Sequence, residues 1–305
     1  MDMRAGVVGA LALALVAGCG RLHFDAGANA DGSVPGDGGD GDAQGPPCNL
    51  ATPFGAPVLI AELSDPLAFD GTLRLLPDEL SGYFWSRSGR TDNDIFLATR
   101  PDRATPFTIT TVSGINTTSN ELDPAISSDG SVLVFRRSGP GDDLYVASRV
   151  APDEFSAAVA IASINTANGE NQGFLPIGRD ELYFQRLTGT SADLYLSSRT
   201  GTTFSAPTLI AELAAPDEEE GDPVVTPDGL TIYFRSDRVA AFGGFNVYTA
   251  SRATTADAFG PVSIVPNVNT DADDGPSWIS PDGCRLYLSS DAAGTHDIYV
   301  ASRGM

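Results

Sequence analysis

The sequence predicts an all-β fold, a five-bladed β-propeller of four-stranded antiparallel blades. A short segment that ends in arginine recurs five times, and successive arginines are 49 to 53 residues apart: Arg100, Arg149, Arg199, Arg252 and Arg303. A fixed period near 50 residues indicates one supersecondary unit repeated along the chain. Each period holds several short apolar runs separated by polar turns and shows no helical periodicity, which is typical of a propeller blade.

The elements of one repeat follow in a constant order. It opens with an aromatic residue and a β-prone run, as in Phe54–Ile60 and Phe204–Ile210, and continues through a polar loop into a short strand. A turn such as Pro227-Asp228-Gly229 then leads to an apolar strand, here Leu230–Phe234. Asp-Gly between two apolar runs predicts a hairpin because glycine accepts the positive φ of the turn. A looser loop precedes the last strand, for example Asp297–Arg303.

The phase of the repeats predicts how the ring closes. The first repeat opens with the run that begins at Phe54, whereas the last repeat ends at Arg303 with no such run after it. If the opening run is the outer strand of the preceding blade, Val58–Ala61 must complete the blade built from residues 276–302. The N-terminal strand would then join the last blade and leave no open sheet edge.

The three cysteines are Cys19, Cys48 and Cys284. Cys48 comes just before the first outer strand and Cys284 lies in the last repeat, so both flank the predicted seam of the ring. In an oxidising compartment we expect this pair to form a disulfide. Two free thiols remain the alternative.

The N-terminus reads as a targeting segment. The apolar run Ala5–Ala17 overlaps Leu15-Val16-Ala17-Gly18-Cys19, which resembles the lipobox of bacterial lipoproteins. The resemblance implies a signal peptide over residues 1–18 and a lipid-modified Cys19, with an ordinary signal peptide cleaved nearby as the alternative. Residues 19–47 are rich in Gly and Asp and are predicted to be a disordered tether. Residues 48–305 then form the propeller domain.

The last repeat carries the clearest family motif. Its turn Ser280-Pro-Asp-Gly283 is followed by Leu286–Leu288 and by Asp297–Tyr299. These residues resemble the WD-like propeller repeat of TolB-type periplasmic proteins. The third repeat departs from the motif, because Ile177–Glu181 lacks the Asp-Gly turn. The resemblance implies a cell-envelope propeller. TolB has a separate N-terminal α/β domain that is not expected here, so its role in the Tol system is not implied.

The amino-acid composition argues against several classes of partner and enzyme. The chain has 18 Lys and Arg against 40 Asp and Glu, a formal net charge of −22. This charge disfavours nucleic acid and anionic headgroups as partners, so membrane contact is expected through the lipid anchor only. The only two histidines are His23 and His296, and no Gly-x-Ser-x-Gly motif occurs. We therefore assign no catalytic residue.

The best candidate for a binding face combines acids and arginines that recur once per repeat. One acid precedes each inner strand: Asp70, Glu121, Glu170, Glu220, and Asp273 or Asp274. Arginines lie at or near the end of the second strand, which should reach the same face: Arg87, Arg137, Arg186, Arg235 and Arg238. Two interpretations stay open, salt bridges that join the blades and a ligand-binding face. The second interpretation includes a bound cation, for which calcium is the candidate, and no metal ligands are assigned.

The function expected from these observations is binding. We expect a lipid-anchored module of the outer membrane, on its periplasmic face or at the cell surface, that binds or scaffolds an envelope protein or a polysaccharide. The alternative is a carbohydrate-active, glycosidase-like enzyme that uses carboxylates near the central channel, because five-bladed propellers include glycosidases.

Overall fold

The computed structural model describes residues 48–139, 141–189, 191–238 and 242–304. They belong to one compact unit, Pro46–Met305. The predicted signal peptide (1–18) and tether (19–47), with the lipidation of Cys19, lie outside the described residues. No helix in the described ranges is long and apolar enough to cross a membrane.

The strands follow the predicted repeats blade by blade. The chain begins with β1 (Val58–Leu59) and a single 3-10 turn (Ala61–Leu63). Blade 1 contains β2 (Asp70–Leu75), β3 (Ser81–Ser86), β4 (Asp94–Thr99) and β5 (Thr108–Thr111). Blade 2 contains β6 (Glu121–Ile126), β7 (Val132–Arg137), β8 (Asp143–Ala151), β9 (Glu154–Phe155) and β10 (Val159–Ala160).

The remaining blades have the same plan. Blade 3 contains β11 (Glu170–Phe174), β12 (Glu181–Leu187), β13 (Ala192–Thr200), β14 (Thr203–Phe204) and β15 (Thr208–Leu209). Blade 4 contains β16 (Glu220–Val225), β17 (Thr231–Ser236), β18 (Asn246–Ser251) and β19 (Ser263–Ile264). Blade 5 contains β20 (Asp274–Ile279), β21 (Arg285–Ser290) and β22 (Asp297–Ser302), and β1 completes it.

The predicted five-bladed propeller is confirmed. Each blade is an antiparallel sheet of four main strands, and β9 and β14 are short additions that extend β8 and β13. The innermost strands are β2, β6, β11, β16 and β20, and each contacts the next around the ring, with β20 returning to β2. One end of these strands therefore forms a continuous face around the ring axis.

The predicted closure is confirmed too. Strand β1 pairs antiparallel with β22, with Val58 opposite Val300 and Leu59 opposite Tyr299. The backbone N–H of Gly55 also donates to the carbonyl of Ser302 at 2.8 Å. The outer strand of blade 5 thus comes from the opposite end of the chain, and this junction is the seam of the ring.

The central strands of each blade are buried on both faces because neighbouring blades pack on either side. In β21 the consecutive residues Leu286, Tyr287 and Leu288 are at most 3% exposed. This explains why these strands read as continuous apolar runs and not as alternating ones. Edge-to-face rings join adjacent blades, for example Tyr83 and Phe155 with centroids 5.4 Å apart.

Cys48 and Cys284 meet at the seam. Their Sγ atoms are at bonding distance, 2.14 Å, and their Cα atoms are 5.6 Å apart. The predicted pairing thus agrees with the folded geometry.

Candidate functional site

The five predicted acids begin the five inner strands. All are at most 2% exposed: Asp70, Glu121, Glu170, Glu220 and Asp274. Asp274, not Asp273, is the first residue of β20. Each acid lies opposite the end of the second strand in the sheet register, in the pairs Asp70–Ser86, Glu121–Arg137, Glu170–Arg186, Glu220–Ser236 and Asp274–Ser290. The structure therefore gathers the predicted acids on one face of the ring.

Blade 2 shows how such a carboxylate is held. Arg137 Nε donates to Glu121 Oε1 at 2.7 Å, and Arg137 Nη2 donates to the carbonyl of Ile115 at 2.8 Å. The backbone N–H and the hydroxyl of Thr117 donate to the same carboxylate at 2.9 and 2.6 Å. The guanidinium also packs on the Tyr145 ring, 4.5 Å from its centroid. We call this space, between carboxylate, carbonyl and aromatic rings, the arginine slot.

Blades 3 and 4 repeat the arginine slot with a change of residue. In blade 3, Arg186 donates to Glu170 at 2.8 Å and to the Ile164 carbonyl at 2.7 Å. In blade 4 the register position of the arginine is Ser236, and Arg238, two residues later, reaches Glu220 at 2.8 Å. These three ion pairs lie within blades 2, 3 and 4, so they hold the loop before the inner strand of each of these blades and do not join neighbouring blades as the structural interpretation expected.

The other two predicted arginines lie elsewhere. Arg87 is exposed and donates to the carbonyl of Thr91 at 3.1 Å. Arg235 lies 3.3 Å from Asp222 and 4.5 Å from the centroid of the Phe245 ring. Arg235 therefore belongs to a second group of charges, closer to the ring axis.

This second group begins at a bulge that four inner strands share. Their third residues have a left-handed φ between 47° and 53°: Thr72, Asp123, Gln172 and Asp222. The pairing register shifts across each of them. In blade 5 the corresponding residue is Pro276, whose ring fixes a negative φ. Sequence reasoning missed these residues, although a polar residue two positions after four of the five strand-start acids was a readable signal.

The two acids of the bulges are paired with arginines. Arg136 Nε donates to Asp123 at 2.9 Å, and its Nη1 donates to Asp142 at 2.8 Å. Asp222 pairs with Arg235, and its backbone N–H donates to Gln172 Oε1 at 2.9 Å. Burial raises the pKa of Asp222, and Arg235 partly offsets that rise. The bulges thus turn a charged, hydrogen-bonded ring toward the axis.

Arg74 spans the axis of the ring. It is 2% exposed, and its Nη2 donates to the carbonyl of Gly173 in blade 3 at 3.3 Å, although Arg74 itself belongs to blade 1. Its guanidinium lies 4.8 Å from the Phe174 ring centroid. Burial lowers the pKa of Arg74 to about 10, against the attraction of Asp222 and Asp123, so it stays charged at neutral pH. Its Nε and Nη1 have no hydrogen-bond partner among the described residues.

His296 and Trp85 line the same end of the channel. Their rings stack with centroids 6.1 Å apart, and Trp85 Nε1 donates to Thr72 Oγ1 at 3.2 Å. Burial lowers the pKa of His296, so the imidazole is neutral at pH 7. We call the group formed by Arg74, Asp123, Asp222, Arg235 and His296 the channel mouth.

The described residues contain no cluster of side chains suited to bind a metal ion. Within the described ranges, no three His, Cys, Asp or Glu side chains are grouped so that they could hold a metal ion. The strand-start carboxylates are separate from one another, each with its own donors, as for Glu121 and Glu170. Calcium binding remains a matter for direct titration.

Comparison with known proteins supports the fold. No family model and no curated protein matches the chain. A glycosyl hydrolase from Bacteroides ovatus is 10% identical with a TM-score of 0.56, over 82% of this chain and 93% of that one. A thermostable family-43 glycoside hydrolase is 11% identical with a TM-score of 0.53, over 77% and 89%.

TolB from Acinetobacter baumannii is 16% identical with a TM-score of 0.48, over 77% of this chain and 55% of that one. The present chain therefore spans about half the length of that TolB protein. At these identities the similarity extends to the fold alone. The class that fold and face define is a five-bladed β-propeller module.

Proposed function

We propose that the chain is a lipid-anchored module of the cell envelope that binds a protein or a polysaccharide on the face carrying the channel mouth. The observation that carries this proposal is the convergence of charged groups at that face. Arg235 and Asp222 are 22% and 13% exposed there, on strands that the ring holds rigidly. A rigid scaffold that presents mixed charges around the ring axis suits recognition of a polar partner.

The state of the carboxylates supports binding over catalysis. A glycosidase needs one protonated and one ionised carboxyl group beside the scissile bond. Here the strand-start acids accept hydrogen bonds within their own blades, and Asp123 is held by Arg136. These groups are thus engaged in holding the ring.

One observation favours the glycosidase alternative. Asp222 has a raised pKa while Asp123 lies in an ion pair nearby, and two carboxyl groups in unlike environments can serve as acid and base. The test is a panel of envelope and plant polysaccharides. Release of reducing ends by the wild type, lost in Asp222→Asn with unchanged melting, would establish the enzyme and overturn the binding proposal.

The binding proposal is tested by site-specific photo-crosslinking in cells with the intact lipoprotein. A photoreactive residue at Leu67, which is 93% exposed in the loop before β2, should capture a specific partner. The same residue at Asp180, whose side chain is 77% exposed at the opposite ends of the strands, is the matched control. Equal yields of every product from both positions would contradict a specific face.

The anchor and the cation have tests of their own. Cys19→Ser should move the protein from the membrane to the soluble fraction and abolish incorporation of labelled fatty acid. Retention in the membrane would contradict anchoring through Cys19. Calorimetric titration with millimolar calcium tests whether the binding face holds a cation, and an absence of binding heat excludes calcium binding.

A further inference from the structure

Blades 2, 3 and 4 each place one of the protein's own guanidinium groups in the arginine slot. In all three, the guanidinium lies over a cross-strand aromatic pair. These pairs are Phe135–Tyr145, Phe184–Tyr195 and Phe234–Tyr248, with guanidinium-to-centroid distances of 4.5 to 5.6 Å. The repeated slot therefore has a defined occupant, a planar cation held by a buried carboxylate, a backbone carbonyl and two rings.

Blade 1 has the slot without the arginine. The register partner of Asp70 is Ser86, and the residue two positions later, Ser88, is again a serine. In this place lies a cavity of about 260 Å³, whose lining includes Leu63, Asp65, Asp70, Phe84, Ser86 and Phe96. Phe84 and Phe96 form the same cross-strand pair, with centroids 5.9 Å apart. Leu63 holds the chain position whose carbonyl accepts the guanidinium in the other blades.

The vacant slot is also more acidic than the filled ones. Where blades 2 and 3 have Thr117 and Thr166, blade 1 has Asp65, whose backbone N–H donates to Asp70 Oδ2 at 2.6 Å. The Asp65 carboxylate accepts a hydrogen bond from Ser88 Oγ at 2.6 Å. None of the described residues that line the cavity is basic. Three acidic residues, Glu62, Asp65 and Asp70, thus line this cavity without a basic residue among the described lining, whereas each filled slot pairs its strand-start carboxylate with a guanidinium.

Neighbouring groups do not substitute for the missing arginine. Arg90 lies 5.7 Å from the Phe96 centroid, but it pairs with Asp94 at 2.7 Å and does not line the cavity. Blade 5 also has serine at the register position, Ser290, yet Leu288 replaces the aromatic residue of the pair. Blade 1 therefore has the buried carboxylate, the carbonyl position and the aromatic pair of the arginine slot without the arginine.

The cavity can admit a side chain from solution. Cavities of about 150 Å³ bind benzene, and a guanidinium group is smaller than benzene. The floor residues Asp70, Phe84 and Phe96 are at most 8% exposed, whereas Ile109 at the rim is 45% exposed. A flexible arginine side chain from solution can thus reach the Asp70 carboxylate while the plane of its guanidinium group lies against the rings of Phe84 and Phe96.

We propose that the blade 1 slot binds the guanidinium group of an arginine side chain that a partner protein presents. The assignment rests on the binding function proposed above and names the chemistry of that partner. Asp70 and Asp65 supply the acceptors for a charge-assisted pair, and Phe84 and Phe96 supply the cation–π surface. The incoming residue does from another chain what Arg137 and Arg186 do within this one.

The test uses calorimetric titration of the intact lipoprotein in detergent with N-acetyl-arginine methylamide. The citrulline analogue, which has the same shape without the charge, should bind at least ten-fold more weakly. The lysine analogue should also bind more weakly, because an ammonium lacks the planar fork of donors. Absence of arginine binding at 50 mM, or equal binding of citrulline, overturns the proposal. Tighter binding of lysine overturns the guanidinium assignment.

Variants of the slot locate the binding. Ser86→Arg gives blade 1 the arginine that blades 2 and 3 have, and it should lower affinity for the probe at least ten-fold. Val159→Arg adds the same charge at a site 64% exposed on β10 and should keep the wild-type affinity. Asp70→Asn, which keeps the side-chain shape, should also lose binding ten-fold. Unchanged affinity in Ser86→Arg or Asp70→Asn places binding elsewhere and overturns the assignment.

Failure of this proposal is distinguishable from failure of the binding function. The crosslinking experiment at Leu67 is repeated in the Ser86→Arg background. A partner captured by the wild type and lost in Ser86→Arg supports the slot. A partner captured equally by both keeps the binding function and overturns the slot. Melting of Ser86→Arg at or above the wild-type temperature shows that the loss is not due to unfolding.

Discussion

Removal of the link between Cys48 and Cys284 tests the closure of the ring. The two cysteines are 236 residues apart, so a disulfide between them would restrict almost the whole propeller in the unfolded chain. On the chain-entropy model a loop of this length stabilises the fold by about 5 kcal/mol. Strand β1 adds little on its own, because it pairs over two residues, Val58 and Leu59, that are 65% and 42% exposed.

The assay compares melting temperatures of the wild type, Cys48→Ser, Cys284→Ser and the double variant. At about 2 to 4 °C per kcal/mol for a domain of this size, each variant should melt about 10 to 20 °C below the wild type. Each single variant should lose as much as the double, because all three lack the same bond. A double variant whose loss equals the sum of the two single losses, or a free Cys284 thiol in non-reducing peptide mapping, would contradict this prediction.

Three further predictions concern the inner strands and turns. Arg186→Met should lower the free energy of unfolding, measured with urea, by about 3 kcal/mol, because it leaves the buried Glu170 carboxylate unpaired. Adding Glu170→Gln should recover part of that loss, and a double variant no more stable than Arg186→Met contradicts this prediction. Burial raises the pKa of Asp274, so the folded state binds that proton more tightly than the unfolded chain, whose pKa is about 3.9. The free energy of unfolding should therefore decline as pH rises from about 4 through the raised pKa, and urea melts of Asp274→Asn should show a shallower decline; an unchanged profile excludes this group. Gly114→Ala should cost about 2 to 4 kcal/mol in urea melts because φ is +87° and a Cβ would lie 1.9 Å from a backbone carbonyl oxygen, whereas Gly178→Ala, with φ +70° and open space, should cost about 1 kcal/mol; equal losses would contradict the steric argument.

The fold could be predicted because the sequence contains five copies of the same repeat. The fixed spacing of the terminal arginines and the Asp-Gly turns specify blade number and strand order, and the phase at Phe54 and Arg303 specifies closure. Three of the five terminal arginines share one contact, with the phenylalanine that opens a repeat. The Arg303 guanidinium lies 3.9 Å from the Phe54 ring centroid, as Arg100 and Arg252 lie over Phe107 and Phe259.

The candidate site was only partly predictable. The strand-start acids follow the period and lie where the sequence placed them. The channel mouth does not follow it, because Arg74 has no arginine counterpart in the other inner strands and makes its contact across the axis with blade 3. Arg238 likewise serves blade 4 from two residues beyond the register position. Which side chain occupies such a space depends on how far it can reach in the folded protein. The spacing of residues along the sequence does not specify this.

The position of Cys48 has a mechanical consequence. A force applied to the chain at Cys48 would act on the propeller at the seam of the ring. A covalent link to Cys284 would deliver that load to the residue just before β21 of blade 5, and would bypass the short hydrogen-bonded contact of β1 with β22. A force applied at Cys48 would then leave β1, which pairs with β22 over two residues, under no tension. Reduction of the link would shift the same force onto the hydrogen bonds of residues 49–55 with Ser302, Arg303 and Gly304, and β1 would bear it only after these had parted.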